Sequence, residues 1–237
     1  MTTEDFILKA KDIGKVVHGP GGDLTILHPS DVSISSNDTV AIVGPSGSGK
    51  TTLLGLLAGL DLPSSGSVEL LGQHLNALSE DERAALRGRG VGFVFQSFHL
   101  LDSLTALENV MLPLELAGVA APDTASRDIL ARVGLAERVH HYPNQLSGGE
   151  KQRVAIARAY AGQPRILFAD EPTGNLDSNT GLEITELLFE LNHQSGTALV
   201  LVTHDERLAQ RCRQVIRLEA GRIVPPASRP QAVAGQS

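Results

Sequence analysis

Cysteine is nearly absent: Cys212 is the only one among 237 residues. A lone thiol cannot close an internal bridge, so no disulfide framework holds this chain, and it suits a reducing compartment. Tryptophan is missing and aromatic residues make up only 3%, which leaves few stacking platforms for single-stranded nucleic acid or for sugar rings. Long apolar runs are missing too. The longest, Leu53 to Leu60, falls far short of the roughly 20 residues that span a bilayer. Basic excess is also lacking: 20 Lys and Arg stand against 27 Asp and Glu, a net charge of −7, so no direct nucleic-acid partner is expected. The opening MTTEDFILKAKD carries acid where a signal peptide carries base. A cytoplasmic location is therefore the expectation.

What is present is an ordinary globular composition, 41% hydrophobic and 20% charged, in a chain long enough to bury most of its apolar surface. β-type runs come first, at 6–10, 24–27 and 39–44. Helical periods at 50–60, 79–87, 123–133, 147–161 and 179–194 then alternate with short apolar strands at 91–95, 165–169 and 197–203. This alternation predicts a parallel sheet covered by helices. The stretch 100–160 offers no convincing strand and reads as a helical insertion, whereas 225–237, rich in Pro, Ala and Ser, reads as a flexible tail.

Gly44, Pro45, Ser46, Gly47, Ser48, Gly49, Lys50 and Thr51 form G-x-x-x-x-G-K-[ST] between the apolar strand TVAIV and a helical run. A polyphosphate needs converging donors. Glycines let backbone N–H groups approach it, and the helix N-terminus adds a favourable dipole. Lys50 reaches for the phosphates, and the Thr51 hydroxyl suits Mg²⁺. The run RILFADE ends a second strand in two carboxylates: Asp170, placed for the Mg²⁺ shell, and Glu171, placed to polarise an attacking water. A third strand, TALVLVTHDE, delivers His204 to the same edge of the sheet, where ligands bind in open α/β folds. In LSGGEKQ, Ser147 and Glu150 form a capping box. The two glycines between them weaken the helix start and point to a close approach by an anion.

Taken together, GPSGSGKT, Gln96 of FVFQ, LSGGE, ILFADE, the NLD at 175–177 and the histidine of VTHD stand in the order of the motifs of the ATP-binding cassette (ABC) ATPases. The chain resembles that family from about residue 4 to 224, and within it the branch of LolD-, MacB- and YbbA-like cassettes. The resemblance implies a P-loop NTPase (RecA-like) α/β core with an N-terminal antiparallel β subdomain and a helical ABC subdomain near 100–160, together filling residues 1–224. It implies ATP and Mg²⁺ as cofactors, with Thr52 joining the phosphate loop, Gln96 joining Thr51 and Asp170 at the metal, and Glu171, His204 and Lys50 catalytic. Ser147, Gly148, Gly149 and Glu150 of a second copy would close over the ATP of the first, and Asp177 would tie the two sites together. A separate integral-membrane permease of the FtsX/MacB/LolC type is the implied partner, placing the chain on the cytoplasmic face of a bacterial inner membrane. The alternative is a soluble clamp acting on a protein or nucleic acid without transport. One departure stands out: where many cassettes stack an aromatic ring on adenine, this chain offers Val17 or His18.

Overall fold

The computed structural model describes residues 6–20 and 22–225; the final twelve residues of the expected tail lie outside them. Two long strands, β1 (Phe6–Gly19) and β2 (Gly22–Ser35), open the chain as an antiparallel hairpin. After β3 (Thr39–Val43) and α1 (Lys50–Leu57) come β4 (Ser65–Leu70), β5 (Gln73–His74), α2 (Glu80–Gly90) and β6 (Val91–Phe95). Three helices follow, α3 (Ala106–Leu116), α4 (Pro122–Arg132) and α5 (Gly148–Ala161), and then β7 (Ile166–Asp170), α6 (Ser178–Ser195) and β8 (Ala198–Val202). A short α7 (Glu206–Ala209), β9 (Gln214–Glu219) and β10 (Arg222–Val224) complete the described chain.

The strands form two sheets. One is antiparallel, in the order β2-β1-β4-β5; the other runs β10-β9-β3-β8-β7-β6, parallel except for β10 at its edge. In β7, Ile166 and Phe168 face one core with α1 and the antiparallel sheet, whereas Leu167 and Ala169 face the other with α3, α5 and α6. A strand buried on both faces reads as a continuous apolar run, which is why β3, β7 and β8 stand out in the sequence.

The expected strands at 6–10 and 24–27 are cores of much longer ones. Their extensions alternate with polar, exposed residues and are interrupted by register shifts near Asp12, which takes a left-handed φ of 51°. Strands β4, β5, β9 and β10 were not expected. They are short or lie near sheet edges, and β4 begins SGS, so their pairing comes from neighbours and not from propensity. Helix α3 falls within the expected helical insertion at 100–160, but its own bounds are not legible in the sequence because Pro113 interrupts the helical pattern. A capping box holds its start: Thr105 Oγ1 accepts from Glu108 N, and the Glu108 carboxylate accepts from Thr105 N. Among the described residues no helix is long and apolar enough to cross a membrane.

Candidate functional site: a phosphate loop facing paired carboxylates

Strands β3, β8 and β7 are neighbours, so the turns leaving Val43, Val202 and Asp170 emerge side by side. The turn after β3 is the glycine loop. Gly44, Gly47 and Gly49 take φ of 155°, 76° and 99°, values that favour a residue without Cβ. Gly49 caps α1 with no side-chain hydrogen bond, which leaves the first N–H groups of the helix without a side-chain cap and suited to an anion. Lys50, only 8% exposed, bends back so that Nζ donates to the carbonyls of Gly44 and Pro45, both at 3.0 Å. Ser46, Gly47, Thr51 and Thr52 line a cavity of about 260 Å³ beside it, and Ser48 is buried within the loop.

Across the cleft, Thr51 Oγ1 donates to Asp170 Oδ2 at 3.2 Å. Burial raises the Asp170 carboxyl above its ordinary range, and the neighbouring Glu171 charge pushes the same way; the Thr51 hydrogen bond and Lys50 oppose them. Glu171 is held at φ 46° while its N–H donates to Val202 O at 3.0 Å. The backbone geometry thus ties the carboxylate of one strand end to the next strand. His204 Nδ1 lies 3.7 Å from Glu171 Oε2, beyond hydrogen-bond reach. Thr51 and Glu171 line both the first cavity and a second, polar one of about 300 Å³ shared with Gln96 and Asp170. The two cavities are therefore halves of one cleft. A hydroxyl, a half-buried carboxylate and an amide oxygen are hard donors that suit Mg²⁺, which binds through one or two carboxylates and completes its shell with water and substrate phosphates.

Such charge burial has a measurable cost. The folded Asp170 carboxyl keeps its proton to higher pH than the unfolded chain's, so ionising it destabilises the nucleotide-free fold, and this penalty disappears when pH is low enough to protonate both states. Asp170→Asn is expected to raise the melting temperature of the nucleotide-free chain at pH 7, because the amide carries no charge to be desolvated. The gain should shrink as pH falls through the carboxylate range in thermal melts; a variant that melts lower at pH 7 would contradict it.

Ser147, Gly148 and Gly149 line neither half of the cleft. Ser147 Oγ accepts from Glu150 N at 3.2 Å, Glu150 Oε2 accepts from Ser147 N at 2.8 Å, and Arg138 Nε donates to Glu150 Oε1 at 3.0 Å. The Glu150 carboxyl is thereby held below its usual range, first by the Ser147 N–H and then by Arg138. The close approach that explains the glycines is partly internal. A Cβ on Gly149 would meet Thr180 Cγ2 at 2.5 Å, and one on Gly148 would meet Leu176 at 3.2 Å. Asp177 caps α6, accepting from Asn179 N and Thr180 N, and shares a groove with His204.

Val17 is half exposed, and His18 Nδ1 is engaged with Asp23 Oδ1 at 2.6 Å; neither lines the cavity beside the phosphate loop. Ile26 does. It was detectable only as one position in the alternating LTIL strand. Cys212 is buried, which pushes its thiol up to about 11, and its neighbours are engaged elsewhere, Arg211 with Glu186 and Arg213 with Asp38.

The family model for the ABC transporter matches residues 27–174. The chain belongs to the ABC transporter ATPases. It is 51% identical over 215 residues to the ABC transporter ATP-binding protein YbbA of Escherichia coli strain K12, covering 90% of this chain and 92% of that one. With the lipoprotein-releasing system ATP-binding protein LolD of Legionella pneumophila strain Lens it shares 48% over 221 residues, covering 92% and 97%. The dimeric post-hydrolysis structure of the ATP-binding cassette MJ0796, bound to ADP and Pi, superposes with a TM-score of 0.84 at 40% identity, covering 91% of this chain and 96% of that one. The antiparallel sheet, the parallel core and the helical segments are those of an ABC cassette, and the chain is an ATPase that binds and hydrolyses ATP.

Proposed function

We propose that this ATPase drives a separate integral-membrane permease of the FtsX/MacB/LolC type, working as a head-to-tail homodimer on the cytoplasmic face of a bacterial inner membrane. The dimeric MJ0796 structure and the transporter names of YbbA and LolD support the reading. In each site Lys50 and the loop amides neutralise phosphate, and Thr51, Asp170 and Gln96 hold Mg²⁺. Bound there, Mg²⁺ offsets charge on the phosphate oxygens. Glu171 accepts a proton from the attacking water, and His204, beside Glu171, faces the γ phosphate. The partner's signature, including its Ser147, closes the site, and Asp177 links the two. With neither Val17 nor the His18 ring lining the cavity beside the phosphate loop, the phosphate contacts carry most of the nucleotide's affinity.

The observation that carries the permease is an apolar hollow of about 290 Å³. It is lined by Val91, Phe93 and Phe95 of β6 and by Leu112, Pro113 and Leu116 of α3. Leu116 is 82% exposed, and Phe95 directly precedes Gln96, so a helix seated here would press on the residue beside the metal donors. Leu116→Glu is expected to keep the chain's own ATP turnover and to lose retention by the permease in detergent-solubilised membranes. If tagged wild-type chain retrieves no multi-span permease from those membranes, the soluble-clamp alternative takes its place.

A further inference from the structure

The turn that carries Glu171 runs on to Asn175, whose side chain has no part in the chemistry above. Its amide and Gln96 form a reciprocal pair. Gln96 Nε2 donates to Asn175 Oδ1 at 3.0 Å, and Asn175 Nδ2 donates to the Gln96 main-chain oxygen, also at 3.0 Å. A side-chain amide has one donor end and one acceptor end, and only the oxygen binds a hard cation. Engaging Nε2 therefore leaves Oε1 as the end available to the cavity that Gln96 shares with Thr51 and Asp170.

Two further features hold this arrangement. Gly174 lies against the Gln96 amide so closely that a Cβ there would meet Nε2 at 2.7 Å and Cδ at 3.0 Å. From behind, the fully buried Gln152 of α5 donates to Pro172 O at 2.7 Å and reaches Phe95 O at 3.5 Å. The segments bearing Asn175 and Gln96 are thus fastened to the same helix, the one that begins with the signature.

We propose that Asn175 is a positioning residue for Gln96: it holds the amide nitrogen so that Oε1 is presented to the Mg²⁺ that accompanies ATP. This rests on the reading that Gln96 joins the metal shell. It gives the NLD segment a role inside its own subunit's site, besides that of Asp177 at the dimer.

The test titrates the full chain with β,γ-imido-ATP, once with Mg²⁺ and once with EDTA, so that no hydrolysis enters the measurement. The variants are Asn175→Ala, Gln96→Ala, the two combined, and Gly174→Ala, whose new Cβ displaces only the flexible end of Gln96. We expect Mg²⁺ to enhance affinity about 5-fold less in Asn175→Ala than in wild type, the scale of one hydrogen bond. Gln96→Ala and Gly174→Ala should lose the enhancement likewise, the double variant should lose no more than Gln96→Ala, and affinity in EDTA should be unchanged throughout. Full enhancement in Asn175→Ala beside a loss in Gln96→Ala overturns the role of Asn175 and leaves Gln96 at the metal. Full enhancement in Gln96→Ala overturns both. A loss in Asn175→Ala that persists in EDTA, or that adds to the loss in Gln96→Ala, makes Asn175 an independent contributor and also overturns the proposal.

Discussion

Glu171→Gln is expected to lower ATP turnover by ~10²-fold or more while ATP still binds. The amide is isosteric, and the backbone that presents it is set by main-chain contacts: the Glu171 N–H to Val202 O, and the Gly174 N–H to Glu171 O. The change therefore removes a proton acceptor without moving the turn. It also removes a negative charge beside Asp170, where that charge now raises the Asp170 carboxyl, and so reduces repulsion against phosphate. The variant should consequently accumulate as an ATP-bound dimer in sedimentation, while the wild type returns to monomer as ATP is consumed. Turnover at the wild-type rate would remove Glu171 from its place as base. His204, 3.7 Å from this carboxylate, would then be the next group to test.

The parts of the fold legible in the sequence are those whose residues are chosen locally. Strands β3, β7 and β8 are buried on both faces, so nearly every position is apolar, and the chemistry at their ends follows directly in the chain. The cap of α5 was legible for the same reason, since Ser147 and Glu150 satisfy each other three residues apart. Elements held by distant partners were not. Strand β4 pairs with β1 through Leu8 to Leu70 and Ala10 to Val68, and nothing within its own six residues announces a strand. At the site, the motif residues could be named one by one, but their cross-links could not. Asn175 meets Gln96 across 79 positions, and Gln152 meets Pro172 across 20. Both are polar residues of ordinary type, in segments already explained as a cap or a turn. Similarly, Gly149 read as room for a ligand because its sequence neighbours suggested one, whereas Thr180, which occupies part of that room, approaches from another helix.

Ser147→Asp is expected to abolish the ATP-dependent dimer while leaving the monomer folded and able to bind nucleotide. The reason lies in what Ser147 does in the chain itself. Its Oγ caps α5 by accepting from Glu150 N, so a bulky or basic substitution would lose that cap, at about 1 kcal/mol, and confuse local damage with a lost interface. Aspartate is as good a cap as serine, and an acidic group also suits a helix N-terminus, so thermal stability should match wild type. What changes is that, in the proposed sandwich, a neutral hydroxyl facing the partner's ATP is replaced by a negative charge. A carboxylate about 4 Å from phosphate is opposed by about 4 kcal/mol per unit charge pair at an effective dielectric near 20, and a homodimer meets that repulsion at both sites. The phosphate loop, Lys50 and Asp170 lie in a cleft that Ser147 does not line, so ATP binding to the monomer should persist. Sedimentation of Ser147→Asp combined with Glu171→Gln makes the comparison sharpest, because Glu171→Gln alone should hold the dimer. A double variant that still dimerises on addition of ATP would mean that the signature serine does not meet phosphate across the interface. The head-to-tail sandwich would then have to be abandoned for this chain.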